Sequence, residues 1–238
     1  MRQFIGNLAF VIGQITSTIL FSPVALLLSP FLSSLQKAAF IGIWANFIRW
    51  WLKVCCRIDY TVEGTQNMPS EPSVVISNHQ SAWETIVFQN IFPSQSYLLK
   101  KELLWIPFFG WGLAANEPIA INRSQKTKAL HQLITQGKER LKSGRWIIIF
   151  PEGTRMPIGH PGKFQAGGAY IASKAGVPVV PVAHNAGAFW GKHQAFHKKP
   201  GTVRVVIGPA IDSKGRKPRE INAEAEAWIL KTMQTLPE

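Results

Sequence analysis

The most constraining feature of this sequence is a long stretch near its amino terminus that carries no charge. Residues 3–36 contain no Asp, Glu, Lys or Arg. As one straight helix they would run to roughly 50 Å, beyond a hydrocarbon core of about 30 Å, and Pro23 and Pro30 are expected to break that helix. Residues 4–22 could span a bilayer alone, or the stretch could form a helical hairpin that enters one leaflet and returns. Both interpretations predict a membrane anchor.

A secretory signal peptide is the alternative for the same stretch. Signal peptides have an apolar run of about 7–15 residues, a basic leading region and a small-residue cleavage site. Here the run is longer, Arg2 is the only basic residue before it, and no clear cleavage site precedes Pro23. An anchor that is retained is therefore favoured.

Residues 38–56 are predicted to form a second helix with an apolar side and a basic side. Such a helix suits the membrane interface, although an amphipathic helix packed on its own domain shows the same pattern. Arg49, Lys53 and Arg57 recur every four positions beside Trp44, Trp50 and Trp51. We expect residues 1–56 to be membrane-anchoring helices.

The net charge points to an anionic partner. Lys and Arg number 26 against 13 acidic residues, which gives +13, and so basic a chain attracts nucleic acid, an anionic bilayer or a phosphorylated substrate. Nothing in the sequence is typical of base recognition, and the uncharged amino terminus fits nucleic acid poorly. We therefore expect anionic membrane lipids as partners and no nucleic acid.

From residue 57 onward the pattern changes to apolar strands that alternate with helices. This alternation predicts an α/β domain over residues 57–238, with a sheet flanked by helices. The predicted strands are 58–62, 73–77, 97–99, 118–122, 146–150, 177–182 and 202–207, and the predicted helices are 81–92, 124–143, 168–175 and 219–236.

Several common catalytic and binding motifs are missing from the sequence. There is no G-x-S-x-G, no H-E-x-x-H and no G-x-x-x-x-G-K-[ST]. The adjacent Cys55 and Cys56 fit neither a disulfide framework nor zinc spacing. Residues 110–115 match a loose dinucleotide pattern but lead into a strand, so their glycines are expected to serve turns. The sequence therefore gives no signal for a zinc site, a phosphate-binding loop or a dinucleotide cofactor.

The first chemical motif is Asn78-His79-Gln80-Ser81-Ala82-Trp83-Glu84, where an apolar strand ends and a helix begins. A histidine before the helix could meet a carboxylate in its first turn. Such a carboxylate fixes the imidazole tautomer and leaves the other nitrogen free as a base. Ser81 and Glu84 also fit a capping box, which would explain Glu84 without chemistry. The sequence leaves both interpretations open.

Two more motifs follow predicted strands. Phe150-Pro151-Glu152-Gly153-Thr154-Arg155 ends a buried strand, and Arg155 offers a planar fork for phosphate or carboxylate. Arg123 follows the strand 118–122 and precedes a helix start, a position that favours an anion. Open α/β sheets bind ligands at the carboxyl ends of their strands. We therefore expect a general base and two phosphate-binding arginines in one crevice beside an apolar anchor, which suggests a phosphorylated lipid.

Taken together, these motifs resemble those of the 1-acyl-sn-glycerol-3-phosphate acyltransferases, also called lysophosphatidic acid acyltransferases. The F-P-E-G-T-R block of that family is matched in full at residues 150–155, and its N-H-x4-D block appears as Asn78-His79 with Glu84 in place of aspartate. The V-P-[IV]-x-P-[IV] block is residues 177–182. The block ending in Arg123 lacks the usual glycine and phenylalanine, so this arginine is the weaker match.

The resemblance implies a mechanism that needs no metal and no cofactor, and it implies a setting. His79 would take the proton from the sn-2 hydroxyl of lysophosphatidic acid, which then attacks the thioester of acyl-CoA or acyl-carrier protein directly. Glu84 would orient and stabilise the imidazolium, and the remaining site residues would bind the substrate: Asn78, Arg123, Glu152, Gly153, Thr154 and Arg155. The implied fold is the glycerolphosphate-acyltransferase-like mixed sheet. The implied location is the bacterial inner membrane, with the catalytic domain on the cytoplasmic side.

Three rival functions stay open at this point. The chain could acylate another lysolipid or glycerol 3-phosphate, it could be a lysophospholipid or thioester hydrolase in which His79 activates water, or it could bind membranes without catalysis.

Overall fold

The computed structural model describes residues 2–122 and 126–237, without the side chains of Lys126 and Thr127. In this part of the chain seven strands form one sheet. All seven predicted strands are confirmed, with small changes at their ends. They are β1 Ile58–Glu63, β2 Val74–Ser77, β3 Gln95–Lys100, β4 Ile119–Ile121, β5 Trp146–Ile149, β6 Val179–His184 and β7 Gly201–Ile207.

The sheet is mixed, and its parallel part positions the site. The strand order is β1-β7-β6-β2-β5-β3-β4. Only β6 and β7 pair antiparallel; the other neighbours run parallel. The carboxyl ends of β6, β2, β5, β3 and β4 therefore lie along one edge. This is the edge where α/β sheets bind ligands.

Helices cover both faces of the sheet. They are α1 Arg2–Leu28, α2 Ser34–Cys56, α3 Trp83–Ile91, α4 Phe109–Ala115, α5 Lys126–Lys142, α6 Gly167–Ala175 and α7 Pro218–Met233. Alternate residues of a strand point to opposite faces: Val75 packs in the cluster beneath α1, α2 and α3, whereas Ile76 packs beneath α5, α6 and α7.

The amino-terminal helix differs from its prediction. Pro23 lies inside α1 and does not end it, so the expected break there is wrong. An interior proline costs roughly 3 kcal/mol, and the packing of α1 against α2 and α4 offsets this cost. The helix ends only before the short 3₁₀ turn that contains Pro30. The hairpin is therefore α1 with α2, and it does not form within residues 3–36.

The two amino-terminal helices share a core with the sheet. Phe10 of α1 and Ile48 and Leu52 of α2 are buried in the same cluster as the strand residues. The expected boundary between residues 1–56 and 57–238 coincides with the end of α2 at Cys56. Residues from both sides of this boundary are nevertheless buried together in this one cluster. By length and composition α1 could cross a membrane, and 11% of its most apolar stretch is buried inside the protein.

A buried arginine joins α2 to the sheet. Arg145 is fully buried, and its guanidinium donates hydrogen bonds to the Ser34 carbonyl at 2.6 Å and to the Asn116 carbonyl at 2.6 Å. Beside it, Lys37 and Glu117 form an ion pair at 2.6 Å. Burial lowers the pKa of Arg145 to about 10, against the attraction of Glu117.

Helix α4 is not predicted by the sequence pattern. This helix contains Gly110 and Gly112, so the expectation that these glycines serve turns is wrong. Both permit close packing. A Cβ on Gly110 would lie 2.3 Å from the Leu104 carbonyl oxygen, and one on Gly112 would lie 2.8 Å from Ser22 Oγ of α1.

Candidate active site

The fold brings the sequence motifs to one edge of the sheet. His79 follows the end of β2, the Phe150–Arg155 turn follows β5, and His184 is the last residue of β6. Because β2 lies between β5 and β6, these three segments are neighbours. Arg123 lies outside the described residues.

His79 and Glu84 form a hydrogen-bonded pair. The Nδ1 atom of His79 lies 2.8 Å from Oε1 of Glu84. Because a carboxylate only accepts, Nδ1 carries the proton and the Nε2 lone pair stays free. The imidazole is 16% exposed and stacks on Phe150, with the ring centroids 4.3 Å apart. His79 can therefore serve as a general base for a hydroxyl brought to Nε2.

The Glu84 carboxylate is fully buried and ionised. Burial by itself would raise its pKa, but the neighbouring imidazoles of His184 and His79, the hydrogen bond from His79 and the Ser81 backbone N–H together hold the pKa below its ordinary value. Its Oε1 atom also accepts the backbone N–H groups of Gln80 at 2.9 Å and Ser81 at 2.8 Å. A buried negative charge beside the base favours the imidazolium that proton abstraction creates.

Both interpretations of Glu84, the partner of His79 and the capping residue, involve the same carboxylate oxygen. Its Oε1 accepts the Ser81 N–H, as in a capping box, and also faces His79. The other half of the box does not form. The Ser81 hydroxyl accepts the Trp83 N–H at 3.0 Å, and α3 begins at Trp83, two residues later than predicted.

Glu152 holds the backbone of the histidine. Its carboxylate accepts the backbone N–H of His79 at 2.6 Å and that of Gly162 at 3.0 Å. The His79 carbonyl in turn accepts the Met156 N–H at 2.7 Å. Burial raises the pKa of Glu152, although both N–H bonds oppose this. Glu152 was expected to bind substrate; in the structure its carboxylate joins the two motifs through these backbone hydrogen bonds.

Asn78, which was also expected to bind substrate, contacts the backbone of His184. Its side chain is fully buried. The amide nitrogen donates to the His184 carbonyl at 2.9 Å, and the amide oxygen accepts the His184 N–H at 3.0 Å. These bonds join the end of β2 to the end of β6, so Asn78 fixes the start of the loop that carries His79.

His184 is the residue that the sequence analysis missed. Its Nδ1 accepts the Ala186 N–H at 3.2 Å, so Nε2 carries the proton and donates to the Asn78 carbonyl at 2.9 Å. Burial lowers the pKa of His184, against the attraction of Glu84, and both ring contacts require the neutral form. The available signal was the same as for His79, namely a histidine at the end of an apolar strand.

A cavity of about 500 Å³ opens beside the pair. At one end it is lined by His79 and by Gly153, Thr154 and Arg155, three of the residues expected to bind substrate. Gly153 has φ +71°, a left-handed conformation that glycine adopts without strain. The rest of the lining is largely apolar and comes from α1, α2, α3, β3 and α4. This shape suits a molecule with an anionic head and a long apolar chain.

No group of three or more His, Cys, Asp or Glu side chains among residues 2–122 and 126–237 could hold a metal ion. Both cysteines are free.

Comparison with known proteins assigns the family. The sequence model of the Acyltransferase family matches residues 59–185. The chain is 45% identical, over 97% of its length and 91% of the relative's, to a Pseudomonas aeruginosa protein named 1-acyl-sn-glycerol-3-phosphate acyltransferase. It is 30% identical, over 72% of its length and 48% of the relative's, to the Arabidopsis thaliana protein named 1-acyl-sn-glycerol-3-phosphate acyltransferase LPAT1, chloroplastic.

A solved structure has the same fold. The crystal structure of the 1-acyl-sn-glycerophosphate acyltransferase PlsC from Thermotoga maritima superposes with a TM-score of 0.79 at 25% identity. The match covers 99% of this chain and 97% of that one, so it includes the amino-terminal helices. The predicted fold class is thereby confirmed, and the chain belongs to the Acyltransferase family.

Proposed function

We propose that this protein transfers an acyl chain from a thioester to the sn-2 hydroxyl of 1-acylglycerol 3-phosphate, which gives phosphatidic acid. The observation that carries the proposal is the His79–Glu84 pair at the polar end of an apolar cavity that Arg155 also lines. The names of the relatives identify the same acceptor.

The reaction needs one base and no covalent enzyme intermediate. The Nε2 atom of His79 takes the hydroxyl proton while the hydroxyl oxygen attacks the thioester carbonyl. The carbon–sulfur bond then breaks, and the imidazolium returns the proton to the leaving thiolate, so the products are phosphatidic acid and a free thiol. Glu84 stabilises the imidazolium in between, because its carboxylate is buried and ionised.

The remaining residues divide into binding and positioning roles. Arg155 binds the phosphate, because an arginine fork matches phosphate oxygens, and Arg123, which lies outside the described residues, is expected to assist. Gly153 and Thr154 shape the polar end of the cavity. Glu152 and Asn78 hold the backbone of the loop that carries His79.

The setting of the reaction is a membrane. We infer that α1 and α2 hold the protein on the bilayer, because α1 leaves many large apolar side chains exposed, among them Leu20 at 68% and Leu27 at 72%. Thioester donors, acyl-CoA or acyl-carrier protein, are water-soluble, which favours the cytoplasmic side of a bacterial inner membrane. The net charge of +13 favours anionic lipids.

The test is an acyl-transfer assay on purified full-length protein with both donors and a panel of acceptors. We expect phosphatidic acid from lysophosphatidic acid. Faster turnover of another lysolipid or of glycerol 3-phosphate would reassign the acceptor. Free fatty acid released without any acceptor would indicate a hydrolase. Lipid binding without turnover, unaffected by His79→Ala, would indicate a non-catalytic membrane protein.

A further inference from the structure

A second exposed apolar surface lies far from the amino terminus in sequence. After residue 56, the described chain exposes five large apolar side chains, and four of them fall within seven residues. These four are Trp105 at 76%, Ile106 at 44%, Phe109 at 43% and Trp111 at 37%; the fifth is Phe196 at 42%. We call residues 105–111 the Trp105 patch. Scattered single apolar residues need no explanation, but such a cluster marks a contact surface.

The backbone holds the patch outward. A short 3₁₀ helix ends at Trp105, and Phe108 has φ +62° and ψ −59°. The Phe109 N–H donates to the Pro107 carbonyl at 2.7 Å, which closes a tight three-residue turn around Phe108. The Phe108 ring then packs on Trp111, with the centroids 4.8 Å apart. The exposure is therefore a property of an ordered turn.

The patch is continuous with the exposed face of α1. Residue Gly112 of α4 lies against Ser22 of α1 so closely that a Cβ would meet its hydroxyl at 2.8 Å. On the same face of α1, one turn to either side of Ser22, Ile19 and Leu26 are exposed. The two elements thus form one apolar surface, although more than 70 residues separate them in the sequence.

The same segment also lines the cavity. Leu103, Phe109 and Leu113 contribute to its wall, whereas Trp105 and Ile106 do not. Phe109 is both exposed and part of the lining. The patch therefore lies between the cavity and the outside of the protein.

The chemistry of the patch matches a bilayer interface. Tryptophan prefers the headgroup level of membranes, and basic residues beside apolar ones favour anionic leaflets. Lys100 and Lys101 precede the patch and are exposed, with a single acid, Glu102, next to them. An apolar groove on another protein would not account for the continuity with the uncharged helix α1.

We propose that the Trp105 patch inserts into the bilayer as a second membrane contact beside α1, and that the lysolipid passes from the leaflet into the cavity next to it. This inference rests on the proposed function, since it assumes a membrane-borne lysolipid acceptor. It assigns to residues 105–111 the delivery of that acceptor and leaves the chemical step to His79.

The first test uses the full chain with the double substitution Trp105→Gln and Ile106→Gln. We expect binding to vesicles of 70% phosphatidylcholine and 30% phosphatidylglycerol to fall about tenfold, because both side chains lose apolar burial. We also expect kcat/KM for vesicle-borne lysophosphatidic acid to fall about tenfold, while kcat/KM for a short-chain, water-soluble lysophosphatidic acid stays within twofold. The latter value also reports that the variant is folded.

The matched control is Phe196→Gln, the same apolar-to-polar change at the exposed residue outside the patch. It should leave vesicle binding and both activities within twofold. A loss equal to that of the double variant would overturn the inference, because the effect would then not belong to the patch.

A second measurement does not depend on the polar variant. Lipids brominated near the headgroup should quench the fluorescence of the wild-type protein more than that of Trp105→Phe, and the difference reports Trp105 alone. Equal quenching together with unchanged vesicle binding of the double variant would overturn the inference and leave the proposed function standing. No turnover of either lysophosphatidic acid by the wild type would overturn the proposed function, while binding and quenching would still decide the patch.

Discussion

The two sides of the cavity differ in the interactions that their residues make. On the side of His79, the histidine donates two hydrogen bonds, from its backbone N–H to Glu152 at 2.6 Å and from Nδ1 to Glu84 at 2.8 Å. On the side of α1 and α4, the lining carries no charged residue: the apolar side chains of Phe21, Phe109 and Leu113 lie among the uncharged polar residues Gln14, Thr18 and Ser22. Hydrogen bonds are directional, and apolar contacts are not.

This difference follows from what each side has to do. A proton transfer requires the reacting atoms within hydrogen-bond reach, so its supporting groups must be fixed. An acyl chain has many conformers and needs only apolar surroundings. Substitutions on the polar side should therefore change the chemical step, and substitutions on the apolar side should change binding or stability.

The largest effect is expected for His79→Ala. Loss of a general base costs about 10²–10⁴-fold in rate, and kcat should fall by that amount. Folding should survive, because Glu152 and Met156 bind the backbone of His79 and not its ring. Steady-state kinetics and a melting curve check both points. Turnover near the wild-type rate in a folded variant would remove His79 from the mechanism.

Glu84→Gln should follow, with a loss of about 10²-fold in kcat/KM, because it keeps the shape but removes the charge that favours the imidazolium. Added to His79→Ala, it should cost little more, since residues that act as a unit lose activity non-additively. Glu84→Asp should keep partial activity. A double-mutant cycle of Glu84→Gln and His79→Ala, with the melting temperature of each variant, decides between the catalytic and the capping role of Glu84. A lower melting temperature for Glu84→Gln, with its kcat/KM within about threefold of the wild-type value, would leave only the capping role.

The same substitution carries a pH signature. The pKa of Glu84 is lower in the folded protein than its ordinary 4.5, so its stabilising contribution is present above pH 4.5 and is lost as the pH falls through the folded value. The wild type should therefore lose more stability on acidification than Glu84→Gln does. If the wild type and Glu84→Gln lost the same stability on acidification, the pairing of Glu84 with His79 would be contradicted.

Arg155→Ala tests binding on the polar side. A charge-assisted hydrogen bond is worth roughly 1.5–3 kcal/mol, so KM for lysophosphatidic acid should rise about 10- to 100-fold, with a smaller change for the donor. Arg204→Ala is the control, because that exposed arginine pairs with Glu63 in the β1–β7 pair. An increase confined to the donor KM would move Arg155 to the donor side.

The smallest effect is expected outside the cavity, where α1 meets the loop around Lys198, and it concerns the stability of the protein. Lys198 is buried, with its Nζ atom 4.5 Å from the ring centroids of Phe10 and Trp190. Its backbone N–H and carbonyl bond to the side chain of Asn7 in α1. The loop around Lys198 therefore joins α1 to the domain.

Burial lowers the pKa of Lys198 from 10.5 to about 8, against the attraction of Cys56. Between these values the unfolded chain binds more protons, so the free energy of unfolding should rise with pH. From pH 7.5 to 10, wild type should gain about 2 kcal/mol relative to Lys198→Met. Urea denaturation at both pH values measures the difference, and equal gains would show that Lys198 is not desolvated. Activity at pH 7.5 should be unchanged.

Short-range patterns in the sequence predicted most of the architecture. Apolar runs that end in turn residues located all seven strands, because a buried strand needs such a run. The predictions failed where packing between distant segments offset local preference. Helix α4 has two glycines in seven residues and forms against Leu104 and α1, and Pro23 stays helical within the packed layer of α1, α2 and α4.

The sequence by itself determined four of the chemical groups in the site and that their motifs follow strands: His79, Glu84, Glu152 and Arg155. It did not determine which of them meet. Glu152 reaches the His79 N–H across 73 positions, and Asn78 reaches His184 across 106. Those pairs exist because β2 lies between β5 and β6 in the sheet. Strand order depends on the packing of the whole chain, so only the tertiary structure assigned Glu152, Asn78 and His184 their positioning roles.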